Sequence, residues 1–289
     1  MTTPLPASGA ARADRNRPAL DAQGLDDALR YAVILCGGAG TRIRARYPDL
    51  PKALIPVAGR PFLEWQIEWL ARAGVRRVVL AAGDRADRLV AWRAEFLRRA
   101  APDAPEIEIA VEPRPLGTGG ALRFAADRVS GDPVLALNGD SMMPQLDFQA
   151  LETAWREFSK AWKKIRWRLP TLGNREAPAA QPLETRGAAL AAVPIPDAGR
   201  FGTVEFDAAG RVTAFREKAQ RTAGWVNGGV YLVDAALLRA LPSDAPFSLE
   251  DDLFPALAEA GALIAAPSLP PLLDIGTPDG LAETERALS

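Results

Sequence analysis

The chain has 289 residues, enough for one large α/β domain or two smaller ones, and its 48% hydrophobic and 25% charged residues are ordinary for a globular protein. Lys and Arg number 35 against 36 Asp and Glu, so no global field recruits nucleic acid or an anionic membrane. One cysteine excludes an internal disulfide and a thiolate zinc site and points to a reducing, cytoplasmic setting, while the absence of histidine removes Ser-His-Asp, Cys-His and HExxH chemistry. What remains is chemistry by carboxylates, Lys, Arg, backbone amides or an oxygen-held metal.

No stretch reaches the ~20 apolar residues of a membrane span. Residues 1–30 are rich in Ala, Pro, Arg and Asp and read as an extension without a targeting core. YAVILC (31–36) is a continuous apolar run ending in glycines, the pattern of a buried parallel strand. FLEWQIEWLARA (62–73) places Phe62, Trp65, Ile67, Leu70 and Ala73 at helical spacing, with Gly74 as a stop. Strand 76–83, helix 85–100, strand 106–112, helix 119–129 and strand 132–140 follow. That alternation, with short links, predicts a Rossmann-like, mostly parallel sheet with helices on both faces.

After Asp140 the rhythm changes. A helix near 147–158 leads into 159–186, a basic, Trp-containing tract that becomes Pro/Gly/Ala-rich. Its SKAWKKIRWR segment reads as a solvated or subunit-contacting insert, the alternatives being a membrane or nucleic-acid contact. Strand-like runs at 187–195, 202–207, 211–217 and 225–233 predict a smaller, β-rich antiparallel or mixed extension of the first sheet. A last helix starts at Thr277-Pro278, with Thr as cap and Pro at the first helical position. The organisation expected is one domain over 31–289 in two halves, 31–145 and 146–289.

The first strand runs into Gly37-Gly38-Ala39-Gly40-Thr41-Arg42. Glycines here let backbone amides cradle phosphates, although a plain tight turn would use them too. This is neither a Walker A loop, since no Gly-Lys-Ser/Thr follows, nor a dinucleotide fingerprint, since the third glycine would fall on Ile43.

Pro51-Lys52 and Pro56-Val57 complete GGAGTRIRARYPDLPKALIPVAGRPFLEW, which resembles the signature of sugar-phosphate nucleotidyltransferases. Further segments fall in that family's order over residues 31–285. Glu112-Pro113 and Leu116 to Ala121 resemble its base- and ribose-facing loop. Leu137-Asn138-Gly139-Asp140 resembles the segment whose aspartate holds magnesium. Phe201 to Glu205, Glu217-Lys218 and Asn227-Gly228-Gly229 resemble the sugar-phosphate segments, and Leu273 to Pro278 the motif of a second metal ligand.

The resemblance implies a GT-A-like fold and attack of a sugar 1-phosphate on the α-phosphorus of a nucleoside triphosphate. Arg42, Lys52 and Asp140 are then the catalytic set. Leu35, Gly37, Gly38, Gly40, Thr41, Arg42, Glu112, Gly117, Thr118, Asn138 and Asp140 bind nucleotide, and Gly202, Glu217, Lys218, Asn227 and Gly228 bind the sugar phosphate. Mg2+ is expected on Asp140 and Asp274, two carboxylates beside substrate phosphates. The nucleophile is already anionic at neutral pH, so no general base is needed, which agrees with the missing histidine. The motifs look most like heptose or mannose 1-phosphate guanylyltransferases, hence GTP. The alternatives are thymidylyl, uridylyl or cytidylyl transfer to another sugar 1-phosphate such as glucose or N-acetylmuramate 1-phosphate, or a regulatory homologue without turnover. A homo-oligomer is a further expectation.

Overall fold

Tyr31–Leu35 (β1) is the apolar run foreseen from sequence, and its last four residues are buried. The computed structural model describes residues 27–38, 43–161, 165–167, 183–198, 202–216 and 223–289. In chain order β1 is followed by the hairpin Pro56–Val57 (β2) and Arg60–Pro61 (β3), then Phe62–Ala73 (α1), Arg77–Ala82 (β4), Ala86–Arg99 (α2), Glu106–Val111 (β5), Gly117–Ala126 (α3) and Val134–Asn138 (β6). Next come Ser141–Met142 (β7), Phe148–Ala161 (α4), Ile165–Trp167 (β8), Leu183–Thr185 (β9), Ala188–Ile195 (β10), Thr203–Phe206 (β11) and Val212–Arg216 (β12). Gly224–Val233 (β13), Ala235–Ala240 (α5), Phe254–Glu259 (α6), Leu263–Pro267 (β14), Leu273–Asp274 (β15) and Pro278–Leu288 (α7) complete the chain.

Strands β5, β4, β1 and β6 form a parallel core, with Leu35 in register with Ala81 on one side and Asn138 on the other. β13 then adds antiparallel to β6 and continues to β11 and β12, so the second half extends the same sheet. β10 pairs antiparallel with β13 and parallel with β14. The sequence patterns leave the last of these strands unmarked.

Alternation along β1 explains why the whole run is apolar. Ala32 and Ile34 point into a core shared with α1, α2 and α4, whereas Val33 and Leu35 point into a second core with α3, α5 and α6. A strand covered on both faces has no solvent side on which a polar residue would be cheaper. A third cluster joins Ile43, Val57, Phe62, Ile275 and Leu281, seating α7 against the β2–β3 hairpin. α1 ends at Gly74, whose φ of 102° is the left-handed helix stop expected of glycine there. α7 begins as expected, with the Thr277 hydroxyl accepting from the Gly280 amide at 3.1 Å.

Two expected boundaries move. The extension placed at 1–30 ends earlier, because Leu29 is fully buried and Arg30 accepts from the Arg76 amide. The insert placed at 159–186 is narrower, because α4 runs to Ala161 and Thr185 is fully buried. Arg186 pairs with Asp132 and Asp234, and its guanidinium lies over the Trp155 ring at 4.8 Å. Trp162 lies outside the described residues. Among those residues no helix is long and apolar enough to cross a membrane.

Candidate active site

The carboxyl ends of β1, β4 and β6 are where a doubly wound sheet binds its ligand, since loops leaving the strands there diverge and open a crevice. The first half of the glycine loop leaves β1 at this edge. Gly37 packs against Gly83, and a methyl on Gly37 would lie 2.5 Å from the Glu112 Oε1 atom. Glu112 therefore braces the loop from below. Its Oε2 accepts the Leu116 amide at 2.9 Å, while Oε1 is buried without a partner among the described residues. Burial pushes the Glu112 carboxyl above the usual carboxylate range, and the Leu116 amide only partly offsets this. Gly38 is exposed at the mouth, whereas Gly40, Thr41 and Arg42 lie outside the described residues.

Lys52 stands on a short 3-10 turn, Lys52–Leu54, entered through Pro51 at φ −65° and anchored by buried Ala53 and Leu54. Its Nζ donates to Asp140 Oδ2 at 2.8 Å. Asp140 follows β6 on a turn held from several sides: the Gly139 amide donates to Leu35 O at 3.0 Å, and Asp140 O accepts from the Ile275 amide at 3.0 Å. The two-residue ladder β7–β15 then sets Asp274 opposite Ser141. A Cβ built on Gly276 would lie 2.9 Å from Asp274 Oδ1, 3.5 Å from Lys52 Nζ and 3.7 Å from Asp140 Oδ2. Two carboxylates and one ammonium thus converge on one small cradle. Among the described residues no group of three or more acidic or thiol side chains gathers as a metal site.

The segment expected to meet the sugar phosphate touches the same turn. Asn227 Oδ1 accepts from the Gly229 amide at 2.9 Å, and the Ser141 hydroxyl lies 3.5 Å from Gly228 O. Gly202 lies exposed just before β11, and Glu217 and Lys218 are outside the described residues.

Below the crevice runs a polar chain that the motifs only partly marked. Thr118 Oγ1 donates to Glu250 Oε2 at 2.8 Å and accepts from the Leu249 amide at 2.8 Å, so this hydroxyl turns inward. Tyr231 OH donates to Glu250 Oε1 at 3.2 Å and accepts from Asn227 Nδ2 at 3.0 Å. Burial, reinforced by the neighbouring Glu250 carboxylate, raises the Tyr231 phenol and keeps it protonated. The first turn of α3 and the Asn227 strand are linked through one carboxylate. The amides of Gly119 and Gly120 are engaged by Phe247 O at 2.9 and 3.3 Å, and Gly119 leaves room for the Phe247 ring. Cys36 is buried, and burial, then Asp140, raises its thiol, so it packs as a small hydrophobe.

Known proteins are similar to this chain in sequence and in fold. A D-glycero-alpha-D-manno-heptose 1-phosphate guanylyltransferase from Campylobacter jejuni is 29% identical over 223 residues, covering 77% of this chain and 84% of the relative. A mannose-1-phosphate guanylyltransferase from Mycobacterium tuberculosis is 29% identical over 236 residues, covering 80% of this chain and 56% of the relative. The crystal structure of HddC from Yersinia pseudotuberculosis superposes with a TM-score of 0.69 at 24% identity, over 90% of this chain and 99% of that one, which shows the fold expected from sequence. A nucleotidyl transferase model matches residues 175–289. Since the MobA-like NTP transferase domain model matches residues 32–204, more than half of the chain, the protein belongs to that nucleotidyltransferase family.

Proposed function

We propose that this enzyme condenses a nucleoside triphosphate with a sugar 1-phosphate to give an NDP-sugar and pyrophosphate, with GTP and a heptose or mannose 1-phosphate as substrates. The carrying observation is the convergence of Asp140, Asp274 and Lys52 on one cradle. The guanylyltransferase names of the relatives at 29% identity support the choice of base and sugar.

In this reading Asp140 and Asp274 hold a divalent cation, Mg2+ by its preference for oxygen and for few carboxylates. The cation would neutralise phosphate charge where substrates meet. Lys52, already aimed into the cradle, takes phosphate oxygens in exchange for part of its contact with Asp140. Amides of the loop after β1 and the planar fork of Arg42 bind the β- and γ-phosphates and stabilise the departing pyrophosphate. Asn227 and Gly228, packed on the Asp140 turn, face the sugar phosphate, with Gly202, Glu217 and Lys218 from the neighbouring segments. No residue need remove a proton from the nucleophile, so rate comes from alignment and charge neutralisation.

Pyrophosphate release from each common NTP, crossed with a panel of sugar 1-phosphates, tests the reading. GTP with mannose or heptose 1-phosphate should be fastest, and release from no pair would refute it. A faster UTP or dTTP reaction with glucose 1-phosphate would keep the reaction and overturn the substrate.

A further inference from the structure

We infer that Gln66 is a positioning residue for the Asp140 turn, an inference that rests on Asp140 being a metal-holding carboxylate as proposed above. Gln66 lies on α1, on the stripe of Leu63, Ile67 and Leu70 that faces the core, and is 0% exposed. Its Nε2 donates to Asn138 O and to Ser141 O, both at 2.8 Å. These carbonyls bracket Gly139 and Asp140, so one carboxamide clamps both ends of the turn. Two carbonyl acceptors can be met only by the NH2 end of the amide, and its two hydrogens are matched one to each.

The other end of the same side chain shows what the residue is for. Gln66 Oε1 is buried with no hydrogen-bond partner among the described residues. If packing were the whole role, Leu or Met would fill the site without desolvating an idle carbonyl. The arrangement makes sense where the turn needs both donors. With Leu35 O holding the Gly139 amide and the Ile275 amide donating to Asp140 O, the turn is tied to β1, to β15 and, through Gln66, to α1. The Asp140 carboxylate, which meets Lys52 at 2.8 Å, inherits that rigidity. Gln66 reaches the turn only through its backbone and so acts through Asp140.

The test uses the full chain with Gln66→Met, which keeps the length and removes both donors. Mn2+ binding is read from the free-ion EPR signal, beside kcat and KM for pyrophosphate release and the urea midpoint. Losing such an outer partner should weaken Mn2+ binding and lower kcat by about 10-fold each, with the triphosphate KM within about twofold. Leu70→Ala, a core truncation on the same helix, should lower the urea midpoint and leave Mn2+ affinity unchanged. If Gln66→Met fails to fold, Gln66→Asn, one methylene too short to reach both carbonyls, should shift Mn2+ affinity the same way. Wild-type Mn2+ affinity and kcat in a folded variant, or an equal Mn2+ shift in Leu70→Ala, overturns the inference. Asp140→Asn separates the two levels: if it leaves Mn2+ binding intact, the metal reading itself fails, whereas loss there with no effect at Gln66 removes only this inference.

Discussion

Replacing Gly276 by alanine adds one methyl group at the centre of the charged cluster and changes no charge. Gly276 lies outside the left-handed region, so alanine adopts its backbone without strain. The new Cβ would sit 2.9 Å from Asp274 Oδ1, about 0.6 Å inside an ordinary ~3.5 Å contact, while Lys52 Nζ and Asp140 Oδ2 at 3.5 and 3.7 Å need not move. Asp274 must retreat, although the Gly276 amide holds the same Oδ1 at 2.9 Å. A partly exposed side chain can yield, so the stability loss should stay below ~1 kcal/mol. Misplacing a reacting group by ~1 Å costs about 100-fold, so roughly half that displacement should lower kcat about 10-fold. The assay is pyrophosphate release over a Mg2+ titration, with thermal unfolding alongside. The Mg2+ concentration for half-activation should rise as kcat falls. Wild-type kcat and Mg2+ dependence in a folded Gly276→Ala protein would show that Asp274 takes no part in the reacting geometry.

Asp140→Asn and Asp274→Asn keep shape but remove the charge proposed to hold the cation, and should each lower kcat by roughly two to four orders of magnitude with the fold intact. Pyrophosphate release at the wild-type rate in either variant refutes that assignment. Glu112→Gln removes a carboxylate whose pKa burial raises. Both folded and unfolded forms are protonated well below pH 4, so wild type carries no penalty there and acquires one as pH rises through the range between its unfolded and folded pKa. The variant should gain stability relative to wild type at pH 7 and lose that advantage on acidification, which urea midpoints across pH will report. Arg186→Ala breaks an ion pair to Asp234, whose side chain is only 3% exposed, and should cost on the order of 2 kcal/mol by urea unfolding. Replacing residues 168–182 by a short Gly/Ser link should leave kcat within about twofold, since loop closure depends weakly on length. A large loss of kcat in that folded variant would place the segment over the substrates.

Local patterns carried much of the architecture. The apolar run at Tyr31–Leu35, the stripe of α1 with its Gly74 stop and the Thr277-Pro278 cap are set by neighbours a few residues apart, and each forms where the sequence places it. The glycine loop, Lys52, Asp140 and Asp274 were legible as separate motifs because their residue types suit phosphate and cation chemistry. Their meeting was implied by the family resemblance and not by the residues' own spacing. It depends on β15 pairing with β7 and on the Ile275 amide finding Asp140 O, contacts between segments distant in sequence that form only once the sheet and α7 are packed. Gln66 reads in sequence as a polar residue on an apolar helix stripe, and Glu250 as one acid among three in Leu249–Leu253. Their partners are backbone carbonyls of the Asp140 turn in one case and Thr118 and Tyr231 in the other, supplied by strands and loops from elsewhere in the chain. Residue type and spacing determine which local structures are favourable, whereas the partner of a buried polar group is chosen by which surfaces the packed core brings into contact.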